Sequence, residues 1–216
     1  QLAIASLFIA LCAGISIGGL ISGVVSRGKV EIGLVPIGAL GVAVSLILGY
    51  FFIHHHIFLL FVYFVSGACG GAGVVPLYAF FQHKSPAAKR GIYQGVSLSF
   101  AYSGLMITGI IVFVLLQHFS PGPGVFFLLA GLITLLVGTL SLQAMPIALI
   151  RCVNWIFTNF VYRIRIFGGE NIPASGGAVL VCNHISYFDP FLVAAAVQRS
   201  IRFLISRSAF QNRLMG

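Results

Sequence analysis

Asn183-His184-Ile185-Ser186-Tyr187-Phe188-Asp189-Pro190 is the stretch of this chain whose residue types and spacing can do acid–base chemistry. Asp189 is the sole aspartate among 216 residues, and His184 stands five positions before it. On a single helix that spacing turns the two side chains to different faces. Across a strand-to-helix turn they can face each other. A carboxylate bonded to one imidazole nitrogen fixes the tautomer and makes the other nitrogen a better base. Such a base takes a proton from a bound hydroxyl, which then attacks a carbonyl carbon. The competing reading makes Asp189 a helix cap and His184 a buried polar residue, and spacing alone weighs the two equally. Ser186 as a nucleophile lacks a second histidine nearby to activate it. Asn183 is a further candidate for touching substrate.

The elements that must position these residues follow from the local pattern. Residues 162–166 alternate polar and apolar, as a half-buried strand does. Gly168-Gly169, Pro173 and Ser175-Gly176-Gly177 turn the chain. Residues 178–182 form a short apolar run of buried-strand type that delivers Asn183 and His184 at its end. Asp189-Pro190 predicts a helix start, with Asp189 as N-cap and Pro190 at the first helical position. The helix would cover 191–197, and 201–205 would be another strand. Strand, loop, helix, strand defines the start of an α/β domain. Before it, 148–161 reads as an interfacial helix. There Arg151, Asn154, Thr158 and Asn159 are mixed with Trp155, Phe157 and Phe160.

The rest of the chain reads as membrane. Hydrophobic residues make up 59% and charged residues 7%, against about 25% charged in soluble domains. The mean hydropathy is +1.09. A membrane helix needs about 20 mostly apolar residues, and five runs qualify: 2–25, 32–53, 57–81, 93–116 and 125–147. They are too long for barrel strands. The domain division is therefore 1–147 and 148–216. Lys and Arg occupy the first and third connections (Arg27, Lys29; Lys84, Lys89, Arg90) and the part after the fifth span, while the second and fourth have none. The positive-inside rule places the basic loops and the C-terminal part in the cytoplasm. A formal charge of +9 on such a chain fits anionic headgroups better than nucleic acid. No Asp, Glu, Lys or Arg lies within a span, so ion coupling through an intramembrane charge is not visible.

Small residues recur at spacings that let helices approach, as in Gly14-xxx-Gly18 and around Gly67, Gly70, Gly71 and Gly73. The four cysteines (Cys12, Cys69, Cys152, Cys182) have no paired spacing and predict neither disulfide nor zinc. His54-His55-His56 sits on a tight turn with no other ligand type near, so no metal is expected. Gln1 begins inside an apolar run, without the features of a signal peptide. The chain therefore reads as an internal piece of a longer protein.

Five spans with basic inner loops resemble the last five helices of a major facilitator superfamily transporter. Ser26-Arg27-Gly28-Lys29-Val30-Glu31 resembles that family's cytoplasmic loop signature, and Gln82 to Gly91 the loop before its eleventh helix. Gly28-Lys29-Val30-Glu31-Ile32-Gly33-Leu34-Val35-Pro36 looks most like bacterial lysophospholipid transporters, which often occur fused to an acyltransferase and an acyl-carrier-protein synthetase. Asn183-His184-x4-Asp189, after Gly169-Glu170-Asn171-Ile172-Pro173 and Ala178-Val179-Leu180-Val181, is similar to the first block of the glycerolipid acyltransferases. The family's later phosphate-binding block is not in this sequence.

The resemblance implies that His184 is the general base and Asp189 its partner. It implies lysophospholipid transport across a bacterial inner membrane, coupled to cytoplasmic re-acylation. The co-substrate would be acyl carrier protein or coenzyme A thioester, with no other cofactor and no nucleic-acid partner. The alternatives are a transporter with a non-catalytic lipid-binding domain, or a membrane-anchored lysophosphatidic acid acyltransferase without transport.

Overall fold

In the computed structural model the described residues are 2–26, 31–157, 164–168, 171–173, 176–183, 185–197 and 201–204. They form α1 (Leu2–Ser26), α2 (Leu34–Phe51), α3 (His56–Lys84), a 3-10 turn (Ala87–Lys89), α4 (Arg90–Phe119), α5 (Pro123–Ala144), α6 (Pro146–Ile156) and α7 (Asp189–Ala196). The chain divides into two compact units, Gln1–Cys152 and Val153–Gly216.

In the first unit, α1, α2, α3, α5 and the 87–119 segment are each long and apolar enough to cross a membrane. The chain is thus that of a membrane protein. Their surfaces agree with lipid as solvent: Phe100, for example, is 75% exposed. Helix ends follow backbone chemistry more closely than hydropathy does. Residues 32 and 33, expected in the second span, form a turn in which Leu34 and Val35 donate to the carbonyls of Glu31 and Ile32 at 3.2 and 3.1 Å. The fifth span stops at Ala144, not 147. Pro146 disfavours helical geometry at the residue before it, and Met145 leaves the helix at φ −133°. Pro146 then opens α6, two residues earlier than the predicted 148.

Packing here is a matter of shape. α3 lies against α1 and α2, and α2 also against α5. A Cβ on Gly14 or Gly18 would run into the carbonyl oxygens of Phe64 or Ala68. A Cβ on Gly67 or Gly71 would meet those of Leu11 or Ile15. The two backbones touch, and only glycine permits it. α4 differs, since it carries no buried residue and a Cβ on Gly95, Gly104 or Gly109 meets open space. The hydroxyls of Ser99 and Thr108 donate to carbonyls one turn back, Gly95 at 2.9 Å and Gly104 at 2.8 Å. They satisfy carbonyls of their own helix.

The described residues of the second unit contain one full helix, α7, and no strand. Of the strands predicted at 162–166, 178–182 and 201–205, residues 162, 163 and 205 lie outside the described residues. The remainder has no regular structure. A strand exists only through the ladder it shares with a neighbour, and among the described residues these segments share none. The run expected to be buried is open, with Val181 91% exposed. The predicted turns do occur at Gly168 and Gly176, which adopt φ +73° and +83°, a region that costs glycine little.

Candidate active site

α7 starts where Pro190 allows it. Proline has no N–H to leave unsatisfied, and its fixed φ suits a first helical turn. The N–H groups of Phe191 and Leu192 both donate to the Phe188 carbonyl, at 3.0 and 3.1 Å. Those are the donors an aspartate N-cap would have taken. The predicted capping role of Asp189 is therefore corrected: its carboxylate reaches backward. Oδ2 accepts the N–H of Ile185 at 2.6 Å and that of Ser186 at 2.8 Å.

Ser186 completes the arrangement. Its Oγ accepts the N–H of Phe188 at 3.2 Å, and its carbonyl accepts the N–H of Asp189 at 3.0 Å. Ser186-Tyr187-Phe188-Asp189 thus forms a turn at the start of the helix with one half of a capping box: the Asp189 carboxylate takes the Ser186 N–H, while the Ser186 hydroxyl takes the N–H of Phe188 and not that of Asp189. The Ser-x-x-Asp spacing was legible in the sequence as the signal for it. The hydroxyl of Ser186 takes part in the turn.

The consequence for chemistry is local. Ile185 and Ser186 directly follow His184, so the Asp189 carboxylate holds the backbone on the C-terminal side of the candidate base. His184 itself lies outside the described residues. A carboxylate can accept about four hydrogen bonds, so two amides on one oxygen do not exhaust the group. Holding the loop and orienting an imidazole are compatible tasks. Asn183 is exposed, as are Tyr187 and Ile185, the latter at 90%. The loop presents apolar side chains beside its polar ones.

A second element holds α7, and sequence reasoning did not find it. Asn154 near the end of α6 is only 7% exposed. Its Nδ2 donates to the Phe191 carbonyl at 2.9 Å, across 37 positions of chain. Phe157 stacks on Phe188, with ring centroids 6.5 Å apart and 17° between planes. Phe188 in turn meets Phe191 at 6.3 Å. The residues flanking Asp189 and Pro190 are both gripped from the same short stretch.

α6 also shows an exposed apolar stripe, Ile147, Ile150 and Val153, at the spacing of one helix face. Residues 158–161 of the predicted interfacial helix lie outside the described residues. Cys152, fully buried, has its thiol pushed up to about 11, first by burial and then by the Glu31 carboxylate. It is a packing residue. In the His54-His55-His56 run, His56 places Nε2 3.3 Å from the Ser6 hydroxyl.

Residues 163–216 match the family model described as Acyltransferase. The matched segment contains Asn183, His184 and Asp189. It supports an acyltransferase domain in this part of the chain, and acyl transfer as the class of reaction. No curated protein and no solved structure matches the chain.

Proposed function

We propose that the protein transfers a fatty acyl group from a thioester to the free hydroxyl of a lysophospholipid, with His184 as general base and Asp189 as its partner. The observation that carries this reading is the Acyltransferase match over a segment that holds the Asn183-His184-x4-Asp189 motif. The imidazole takes the proton of the glycerol hydroxyl, and the oxygen attacks the thioester carbonyl. The tetrahedral intermediate collapses, the carbon–sulfur bond breaks, and the thiolate leaves. The imidazolium returns its proton to that thiolate. The products are an ester and a free thiol, with no covalent enzyme intermediate.

The chemistry of the surroundings favours a lipid acceptor. Six arginines (Arg163, Arg165, Arg199, Arg202, Arg207, Arg213) face two acids, Glu170 and Asp189, between 153 and 216. Such a balance suits phosphate and anionic headgroups. The donor is an acyl carrier protein or coenzyme A thioester. The alternating basic loops favour the cytoplasmic side of the membrane as the place of the reaction, in this reading a bacterial inner membrane.

The five spans add a second part to the reading: they move the lysophospholipid to the side where it is re-acylated. The glycine contacts that join α1 to α3 backbone on backbone favour a packed bundle over loose anchors. Membranes carrying the full-length protein, given lysophospholipid and a labelled thioester, test the chemistry. Labelled phospholipid should form with wild type, and His184→Ala should lower the rate by about 10²- to 10⁴-fold. Undiminished turnover in that variant removes His184 as the base, and no labelled phospholipid from wild type leaves only the lipid-binding platform.

A further inference from the structure

We propose that Asn154 is a positioning residue for the acyl transfer, acting through α7 on Asp189; the proposal rests on the acyl-transfer reading. A buried amide side chain is costly unless it is hydrogen-bonded. Asn154 is buried, and its Nδ2 donates to Phe191 O at 2.9 Å. Phe191 lies in the first turn of α7, two residues beyond Asp189. A helical carbonyl has a second lone pair, so the helix keeps its own bond while the amide fixes its rotation.

The Phe157–Phe188 stack secures the other side of Asp189, one residue before it. Held from both directions, the Asp189 carboxylate is fixed in place, and it in turn holds the amides of Ile185 and Ser186. The path from Asn154 to the backbone beside His184 therefore runs through named contacts. Asn154 touches no reacting atom. Its work is to keep the carboxylate where the base needs it, and misplacements of about 1 Å cost about 10²-fold in rate.

The test uses the full-length protein in membranes or nanodiscs. Asn154→Leu keeps the volume and removes the donor. Its kcat should fall by about 10- to 100-fold, while KM for lysophospholipid stays within about threefold of wild type. Hydrogen exchange of the α7 amides should quicken by about fivefold, the factor for one lost hydrogen bond. Asn154→Gln, which keeps the donor, should recover most of the kcat. A kcat within twofold of wild type for Asn154→Leu, or unchanged α7 exchange, overturns the proposal.

If Asn154→Leu protein does not accumulate, Phe157→Leu carries the test. It thins the aromatic stack without touching a polar group, and the same kcat-against-KM split is expected. An unaltered kcat overturns the proposal. Failure of the underlying reading looks different: wild type makes no phospholipid, or His184→Ala still makes it. The α7 exchange rates then still judge the Asn154 contact.

Discussion

The two units of this chain are held together by different physics. In the first, α1 and α3 meet backbone to backbone at Gly14, Gly18, Gly67 and Gly71, and hydroxyls such as those of Ser99 and Thr134 bond carbonyls of their own helix. Geometry there comes from the absence of side chains. In the second, geometry comes from particular side chains: the Asn154 amide, the Phe157–Phe188 stack and the Asp189 carboxylate. A surface shaped by glycines can be packed and repacked along its length. A carboxylate held through two amides sits in one place. The difference matches what each region has to do, since a lipid-facing bundle needs close contact and a reaction needs a fixed atom.

The largest effect should come from adding bulk to the close seam. Gly18→Leu drives a side chain into the Ala68 backbone and should cost about 3 kcal/mol or more, the upper range for overpacking. Thermal unfolding in detergent should show a lower midpoint or no folded protein. Gly109→Leu on α4, where nothing lies within 4 Å, should change stability by less than about 0.5 kcal/mol. Equal losses at the two sites would mean that α1 and α3 do not meet as described.

A smaller contrast concerns thiols. The raised value of Cys152, about 11 against 9.0 for an ordinary cysteine, corresponds to about 100-fold less thiolate near neutral pH. Maleimide should therefore modify exposed Cys182 and spare Cys152 in the folded protein. The sign of the linkage follows. The folded state holds the Cys152 proton more tightly, so this contribution to stability is fully present below pH 9.0 and declines as pH rises toward about 11. Rapid labelling of Cys152 at neutral pH would show that its burial is not maintained.

What could be read in advance divides along the same line. The five long helices were legible because lipid imposes one requirement on about 20 consecutive residues. Their ends were less so, because Pro146 and the 32–33 turn act through single hydrogen bonds, not average hydropathy. The turn closed by Ser186 and Asp189 was present as Ser-x-x-Asp, yet the residue next to Pro190 drew the N-cap assignment instead. The tie between Asn154 and Phe191 had no sequence signal at all. A bond across 37 positions leaves no periodicity, and an asparagine beside Trp155 and Phe157 reads as an interfacial residue. The strand patterns have no counterpart among the described residues, and alternation describes one strand's faces but not whether a neighbour completes its ladder.

Asp189→Asn tests the account most directly, because it separates the two tasks assigned to one carboxylate. The asparagine oxygen still accepts the amides of Ile185 and Ser186, so the loop should stay closed and exchange at those positions should be unchanged. The charge that would orient and stabilise the imidazole is gone, and acyl transfer by the full-length protein should fall by about 10²-fold or more. A variant with an intact loop and undiminished acyl transfer would contradict the account, leaving Asp189 as a turn residue and nothing else.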